Sequence, residues 1–346
     1  MLKVFTMSQS AEWDNTVKSF AQYDVYYLSG YVKSFAVHGD GEPLLFYYTG
    51  ADLRAINVVM KRDIANDERF AGKIEAGTYF DFVTPYGYGG WIIEGDSDKA
   101  ELFGEYEKWC VDNGVVSEFV RLHPILNNYR DIAQAYNVVR LGNTVAMDLS
   151  NPDEIWNNIT SKNRNVIRKA EKSGVEIGLG NSENLFDAFR VVYDKTMDRD
   201  NADRYYYFDK DFYTAIRDGL NGNSTVFYAK NADGEIIAAS IILFCNGKLT
   251  YHLSGSKAEY RSLAPTNLLL YKAALWGCQN GCKTFHLGGG VGSREDNLFK
   301  FKRAFYKGEL TEFHIGKKIF DTDKYNKLLA LRESREATAF FPEYRG

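Results

Sequence analysis

Apolar runs of strand length, set off by turn residues, alternate with helical patterns along most of the chain. In the first half, a hairpin signal joins the first two runs, and Gly114 ends the main helical pattern. The predicted elements are a helix with a short link at 11–31, strands at 43–48, 55–61 and 79–83, a helix at 98–112 and a strand at 116–122.

The second half of the chain repeats this order. The hexapeptide from Trp276 to Gly281 resembles the one from Trp109 to Gly114, and the two lie 167 positions apart. We therefore predict a duplicated α/β domain with mixed sheets, divided into residues 1–146 and 147–322, with segment 323–346 packing back on the first domain. The predicted elements are a helix at 183–196, strands at 225–230, 235–244 and 248–253, a helix at 266–280, strands at 284–287 and 311–319, and a helix at 323–335.

A strand, a helix and a second strand between residues 249 and 287 form a predicted βαβ unit. Such units leave a crevice at the carboxyl ends of their strands. Segments 254–256 and 288–292 are therefore expected to lie side by side as loops in that crevice. We predict that the chemistry takes place there.

Composition narrows the classes of function. The 346 residues carry a net charge of −4, so there is no global basic field of the kind that marks a nucleic-acid binder, and any RNA contact must be local. The chain lacks an apolar run of spanning length, which leaves only peripheral membrane contact and predicts a cytoplasmic location. The four cysteines lack metal-ligand spacing and are expected to be free thiols: Cys110, Cys245, Cys278 and Cys282.

A basic stripe lies on the helix predicted from about Ser161. Arg164, Arg168 and Lys172 follow one another at spacing four, which places them on one helical face. The stripe is either a solvated face or a contact for the phosphate backbone of an RNA or nucleotide ligand.

Two readings are open for the glycine-rich segment after the βαβ unit. Segment 288–292 lacks the Lys-Ser/Thr of a P-loop and the spacing of a dinucleotide fingerprint. Its glycines, Gly289 and Gly290 among them, either face a substrate or let backbones approach closely.

Lys302 is either a solvated lysine or a fixed cation placed where negative charge develops on a carbonyl oxygen.

Four more charged residues are candidates. Arg199 and Arg204, in an aromatic loop, either bind an anion or pair with neighbouring aspartates. Asp81 and His123 are placed at the ends of adjacent strands, and each is either structural or catalytic. The sequence shows no Ser-His-Asp order, nucleophile elbow or metal-ligand cluster. Direct attack by a bound amine therefore fits better than a covalent or metal-assisted route.

Several motifs, taken in order, resemble the Fem-type (FemAB family) aminoacyltransferases, which are tandem GNAT proteins that add amino acids to peptidoglycan precursors. The motifs cover nearly the whole chain. They are the segments 79–90, 119–124, 161–170 and 251–265, and the glycine segment leading into Phe301-Lys302-Arg303-Ala304-Phe305.

The resemblance implies two tandem GNAT-like acyltransferase domains with a cleft between them, and an acyl-transfer channel in the second domain. It implies that Lys302 stabilises charge at the reacting ester, with Phe301 and Tyr251 beside it. Lys33 resembles the phosphate-binding lysine of the family, and Arg199 or Arg204 would supply the arginine. The chain departs from the family at His123, where Asp-Pro is usual, and in lacking the long paired-helix insertion that several members use for RNA.

Three functions follow as hypotheses. The first is transfer of an aminoacyl group from aminoacyl-tRNA to an amine of a nucleotide- or lipid-linked peptidoglycan precursor, with no cofactor or metal. The second is a CoA-dependent GNAT acyltransferase acting on an amino sugar or another cell-surface precursor. The third is a non-catalytic binding module, against which the intact segment around Lys302 argues.

The turn before the second-domain helix distinguishes the two donors. In CoA-dependent GNAT enzymes this turn carries glycines whose free N–H groups bind the pyrophosphate at a helix N-terminus. Here Ala264 replaces the first glycine, and Pro265 removes one N–H donor. We therefore expect weak or no CoA binding.

Overall fold

The computed structural model describes residues 1–332 and 338–346, which fold as two compact units. Unit 1 consists of Met1–Leu141 and Phe313–Gly346, and unit 2 is Gly142–Glu312. The division of the chain into domains 1–146 and 147–322 stays a prediction.

The sheet of unit 1 consists of the strands β1 (Leu2–Phe5), β2 (Glu42–Thr49), β3 (Arg54–Asp63), β4 (Phe80–Val83), β5 (Ile92–Glu94), β6 (Val115–Arg121) and β13 (Thr311–Ile319). The order across the sheet is β1-β2-β3-β4-β6-β13, and the short β5 pairs with β3 off this path. The sheet contains one parallel pair, β4 with β6, among antiparallel neighbours.

Five helices accompany this sheet in the described residues. The helices are α1 (Ser10–Lys18), α2 (Ser29–His38), α3 (Ala100–Asp112), α4 (Tyr129–Ile132) and α11 (Thr322–Ala330). A buried aromatic core that includes Phe46, Phe82, Trp91 and Tyr106 joins the sheet to α3. Residues 333–335 of the helix predicted at 323–335 lie outside the described residues.

The predicted helix and short link at 11–31 are corrected, because a second helix begins at Ser29. α1 ends at Lys18, and a separate turn begins at Asp24, whose carboxylate accepts the N–H of Val25. α2 follows and ends at His38, and the next residue, Gly39, has a left-handed conformation with φ of 99°. Lys33 therefore lies on a helix.

The sheet of unit 2 consists of the strands β7 (Asn137–Asp148), β8 (Glu176–Gly180), β9 (Ser224–Lys230), β10 (Ile236–Cys245), β11 (Lys248–Ser256) and β12 (Thr284–Gly288). The order across the sheet is β7-β12-β11-β10-β9-β8. This sheet also has one parallel pair, β11 with β12, among antiparallel neighbours. The helices are α5 (Pro152–Asn158), α6 (Ser161–Lys172), α7 (Glu183–Arg199), α8 (Lys210–Gly219), α9 (Pro265–Gln279) and α10 (Asn297–Arg303).

The two sheets have the same order, which confirms the predicted repeat. β6 and β12 hold equivalent places, since each pairs in parallel with one neighbour and antiparallel with the other. The helices before them end alike: Asn113 and Asn280 each donate a side-chain N–H to a tryptophan carbonyl at 2.8 Å. Gly114 and Gly281 follow with φ of 72° and 79°, a region that glycine adopts readily. The matching hexapeptides thus encode one helix ending used twice.

Candidate active site

The parallel ladder in unit 2 is short, and it ends where the candidate site begins. β11 and β12 pair only from Lys248 with Thr284 to Thr250 with His286. The next residue, Tyr251, is followed by a β-bulge against β10, a feature that bends a strand and redirects its side chains. Beyond this point β11 pairs with β10 alone, so the two parallel strands leave an opening between them.

The expected loop at 254–256 is corrected to strand. Ser254 and Ser256 pair with Ser240 and Ala238 of β10, so β11 continues through both residues. The backbone groups are satisfied in this sheet ladder, which favours an extended strand over a loop. The facing segment 288–292 does leave its strand, since β12 ends at Gly288.

Lys302 lies on α10, with its ammonium inside the unit. The side chain is 9% exposed, and Nζ donates a hydrogen bond of 2.6 Å to the carbonyl oxygen of Gly289. The ammonium is 6.0 Å from the centre of the Tyr251 ring. Burial lowers the pKa of Lys302 to about 8, although the nearby Asp296 carboxylate acts in the opposite direction. The side chain therefore carries its charge at neutral pH.

Tyr251 is the residue of β11 that faces this ammonium. Burial raises the pKa of its phenol, and hydrogen bonds to the hydroxyls of Ser254 and Ser240 only partly oppose the shift. Those two hydroxyls lie 2.8 Å apart. Tyr251 thus stays a neutral phenol.

Phe301 packs against the unit 2 core. Its ring makes an edge-on contact with Phe305, with ring centres 5.4 Å apart. The contact orients the helical turn that carries Lys302.

The glycines at 289 and 290 are explained by close backbone approach. A side chain on Gly290 would overlap the carbonyl oxygen of Arg294 and the carboxylate of Asp296. A Cβ on Gly289 would lie 3.1 Å from the carbonyl oxygen of Asn143. The two glycines let the segment lie close to these groups, and the Gly289 carbonyl accepts the hydrogen bond from Lys302.

Asp296 is a member of this site that the sequence analysis missed. Its carboxylate accepts the N–H of Phe299 at 2.8 Å and that of Val291 at 3.1 Å, so it begins α10 and binds the glycine segment. These backbone hydrogen bonds hold its pKa below the usual value. An aspartate directly before an apolar helix start was the available signal.

Arg199 and Arg204 have different environments. Arg199 donates to the carbonyl oxygen of Ser256 at 2.8 Å and pairs with Asp200 at 2.9 Å. It therefore fixes the end of β11 and forms the predicted pair with a neighbouring aspartate. Arg204 is exposed at the start of a short turn, next to the exposed Tyr205.

The basic stripe is divided in the same way. Arg164 donates to three carbonyl oxygens at the end of α5, the shortest bond being 2.8 Å to Ile159. Arg168 is exposed, with its guanidinium 5.0 Å from the centre of the Trp156 ring, and Lys172 is exposed. Arg164 thus has a structural role, whereas Arg168 and Lys172 face solvent.

The Asp81 candidate in unit 1 is held by its own network. It is fully buried in β4, and its carboxylate binds Arg62 at 2.8 Å, Arg345 at 2.6 Å and the hydroxyl of Tyr344 at 3.0 Å. Burial opposes its ionisation, but the two arginines outweigh burial and keep the pKa of Asp81 low.

The remaining unit 1 candidates are His123 and Lys33. His123 is buried, with Nε2 3.1 Å from the Asp24 carboxylate, and its Nδ1 accepts backbone N–H groups. This arrangement places the proton on Nε2, which donates to Asp24. Lys33 is exposed on α2, between buried neighbours.

The turn before α9 keeps the shape of a glycine turn without glycine. Ala264 has φ of 52° and ψ of 45°, a left-handed conformation, and Pro265 is the first residue of the helix. Behind the turn, Asn267 donates a side-chain hydrogen bond of 2.8 Å to Asn163.

Within residues 1–332 and 338–346, no group of three or more His, Cys, Asp or Glu side chains is arranged to hold a metal ion. None of the helices in these residues is both long and apolar enough to cross a bilayer.

Part of the chain is similar to a known protein family and to a curated protein. Residues 161–303 match a family model described as an acetyltransferase (GNAT) domain. A curated relative, the UDP-N-acetylmuramoylpentapeptide-lysine N(6)-alanyltransferase of Weissella viridescens, is 23% identical over 172 residues. That match covers 49% of this chain and 50% of the relative, so it spans about half of the relative's length.

Solved structures extend the likeness over most of the chain. FemX aligns with a TM-score of 0.67 and 14% identity, covering 94% of this chain and 99% of that one. L-PGS from Bacillus licheniformis aligns with a TM-score of 0.54 and 16% identity, covering 86% and 90%. A tandem GNAT protein of the clavulanic acid pathway aligns with a TM-score of 0.51 and 6% identity, covering 93% and 99%.

The class follows from the fold and these matches: the chain is a tandem GNAT-like α/β protein, as predicted. The predicted resemblance to the Fem-type aminoacyltransferases is also confirmed, by the curated relative and by FemX.

Proposed function

We propose that this protein is an N-acyltransferase that moves an aminoacyl group from aminoacyl-tRNA to an amine of a peptidoglycan precursor. The amine attacks the ester carbonyl, the ester C–O bond breaks, and the amine proton passes to the leaving hydroxyl of the tRNA. Negative charge develops on the carbonyl oxygen and the leaving oxygen, and Lys302 is the proposed group that stabilises it.

The observation that carries the proposal is the buried ammonium of Lys302. Its pKa of about 8 leaves it charged at neutral pH, and its burial strengthens any interaction with an oxyanion. The Gly289 carbonyl and the Tyr251 ring fix its position before substrate arrives. A preorganised cation of this kind acts on the transition state more than on substrate binding.

The acceptor is proposed from the curated relative, whose name specifies the lysine of a UDP-linked muramoyl pentapeptide. We extend this to a nucleotide- or lipid-linked peptidoglycan precursor. Lys33 and Arg204 are each exposed and each suited to bind a phosphate group, whereas Arg199 already binds Ser256 and Asp200. The networks around Asp81 and His123 favour structural roles for both.

The donor is proposed from surface chemistry in unit 2. Tyr205 and Tyr207 are exposed, and aromatic side chains of this kind stack the bases of a single-stranded RNA end. Arg168 and Lys172 offer charge to RNA phosphates. Charged tRNA and nucleotide-linked precursors are cytoplasmic substrates, so the proposed reaction takes place there, with peripheral membrane contact for a lipid-linked acceptor.

A CoA-dependent acyltransferase is the second candidate, because the matched family model describes an acetyltransferase domain and Ala264 adopts the left-handed turn. The missing N–H of Pro265 argues against it.

The two candidates are separated by supplying radiolabelled aminoacyl-tRNA and radiolabelled acetyl-CoA in parallel, each with a peptidoglycan precursor pool as acceptor. We expect label to reach the acceptor from aminoacyl-tRNA only. Transfer from acetyl-CoA alone would reverse the ranking, and transfer from neither would reject both.

A further inference from the structure

The glycine segment 288–292 is attached to α10 at two points. Lys302 Nζ donates to the carbonyl oxygen of Gly289 at 2.6 Å, and Asp296 accepts the N–H of Val291 at 3.1 Å. Gly290, which lies between these points, has no side chain because the Asp296 carboxylate and the Arg294 carbonyl fill the space. The carboxylate, the ammonium and the glycine segment therefore form one connected group.

We propose that Asp296 is a positioning residue for the transfer reaction: its carboxylate fixes the glycine segment, whose Gly289 carbonyl holds the Lys302 ammonium in place. This inference rests on the proposed function for its catalytic meaning. Asp296 acts through Lys302 and the glycine segment rather than on the substrate.

The electrostatics support the geometry. Burial lowers the pKa of Lys302, and the charge of Asp296 is the force that opposes it. Backbone hydrogen bonds in turn keep the pKa of Asp296 low, so the carboxylate remains ionised throughout the working range. From β11, the group that faces the ammonium is Tyr251, whose raised pKa keeps it neutral, and the glycine segment presents a carbonyl.

The informative variant is Asp296→Asn. Asparagine caps helices about as well as aspartate, so α10 keeps its start. The charge is lost, and so is the hydrogen bond from the Val291 N–H, because the amide has a single acceptor oxygen. Without that charge the pKa of Lys302 falls, by about one unit if the carboxylate acts as a typical near neighbour. The fraction of charged Lys302 would then drop about fivefold at pH 8 and change little at pH 6.

The first readout is the ratio of variant to wild-type kcat/KM between pH 6 and pH 9. The ratio cancels the ionisation of the acceptor amine and the spontaneous hydrolysis of the donor ester. We expect it to fall about fivefold between pH 6 and pH 8. A merely structural role would lower the ratio equally at every pH, and that result would overturn the proposal.

The matched control is Asp321→Asn. Asp321 caps α11 by accepting the N–H of Lys324 at 2.9 Å, and backbone hydrogen bonds lower its pKa as they do for Asp296. It belongs to unit 1 and accepts none of the hydrogen bonds of the Lys302 site, so its ratio is expected to be flat across the pH range.

The second readout does not require activity. In protein carrying ¹³C-labelled lysine, the Lys302 signal is identified by its absence from Lys302→Met, and it is titrated in wild type and in Asp296→Asn. A lower midpoint in Asp296→Asn supports the proposal, and an unchanged midpoint overturns it. If wild type transfers no aminoacyl group, the proposed function fails while this titration still decides the role of Asp296.

Discussion

Replacing Lys302 with methionine is expected to make the protein much less active but no less stable. The perturbation removes a buried charge and keeps an unbranched side chain of similar length. A preorganised electrostatic donor typically contributes ~10²–10³ in turnover. We expect kcat to fall by that factor and the KM values of both substrates to change little, because the ammonium acts on the barrier.

The stability effect follows from the pKa of Lys302. Burial moves it from 10.5 to about 8. At about 1.4 kcal/mol per pKa unit, the buried charge destabilises the folded state by about 3 kcal/mol at neutral pH. Methionine removes this penalty but leaves the Gly289 carbonyl unpaired, which costs about 1–3 kcal/mol. The free energy of unfolding should therefore stay constant or rise by up to about 2 kcal/mol.

The pH dependence has a defined sign. Between about pH 8 and pH 10.5, the folded state has released the Lys302 proton while the unfolded chain still holds it. Wild-type stability therefore rises by about 3 kcal/mol across this window relative to Lys302→Met, so wild type becomes the more stable of the two proteins near pH 10.5.

The assays are steady-state transfer from aminoacyl-tRNA and urea unfolding at several pH values. Lys300→Met is the matched control, because Lys300 is an exposed lysine on the same helix, and it should change neither quantity appreciably. Near-normal turnover in Lys302→Met would show that Lys302 is not catalytic. A loss of more than about 2 kcal/mol in stability would contradict the burial argument.

Two further variants test the roles that the structure assigns to other candidates. Arg345→Ala should lower the free energy of unfolding at neutral pH by about 3 kcal/mol, because it leaves the buried Asp81 carboxylate with one arginine fewer. In urea unfolding, this loss of stability should become smaller as the pH falls through the range where Asp81 gains a proton. A loss that stays constant with pH would contradict the assigned role of Arg345. Arg168→Glu combined with Lys172→Glu should weaken transfer from aminoacyl-tRNA and reduce, by about two, the slope of log kcat/KM against log salt concentration. The control Lys327→Glu reverses a charge on α11 and should change neither quantity. Equal effects of the two variants would show that the stripe is a solvated face.

Short-range sequence patterns predicted those elements whose boundaries depend on neighbouring residues, such as helix ends. The two matching helix endings were readable because Gly114 and Gly281 both have a left-handed conformation. α2 was missed because its residues are buried on several sides and lack the one-sided pattern of a surface helix. β8 was missed because two of its five residues are glycine, which weakens a strand signal.

The sequence predicts candidate residues for the site, but it does not predict their contacts. The glycine segment and Lys302 were identified from sequence, yet the bond from Nζ to Gly289 joins residues 13 positions apart, and burial sets the charge. The partner of Asp81 is more remote still, since Arg345 lies 264 positions away. Such long-range pairs have no local signature, so a single sequence leaves the choice between structural and functional roles open.

The most direct test of the proposed function is the mass of the acceptor after reaction. A purified UDP-linked muramoyl pentapeptide is incubated with the protein and aminoacyl-tRNA, and its intact mass and fragments are measured. We predict a gain of one aminoacyl residue, joined through an amide to an amine of the peptide. An acceptor of unchanged mass with aminoacyl-tRNA, together with acetylation when acetyl-CoA is supplied, would contradict the proposed function.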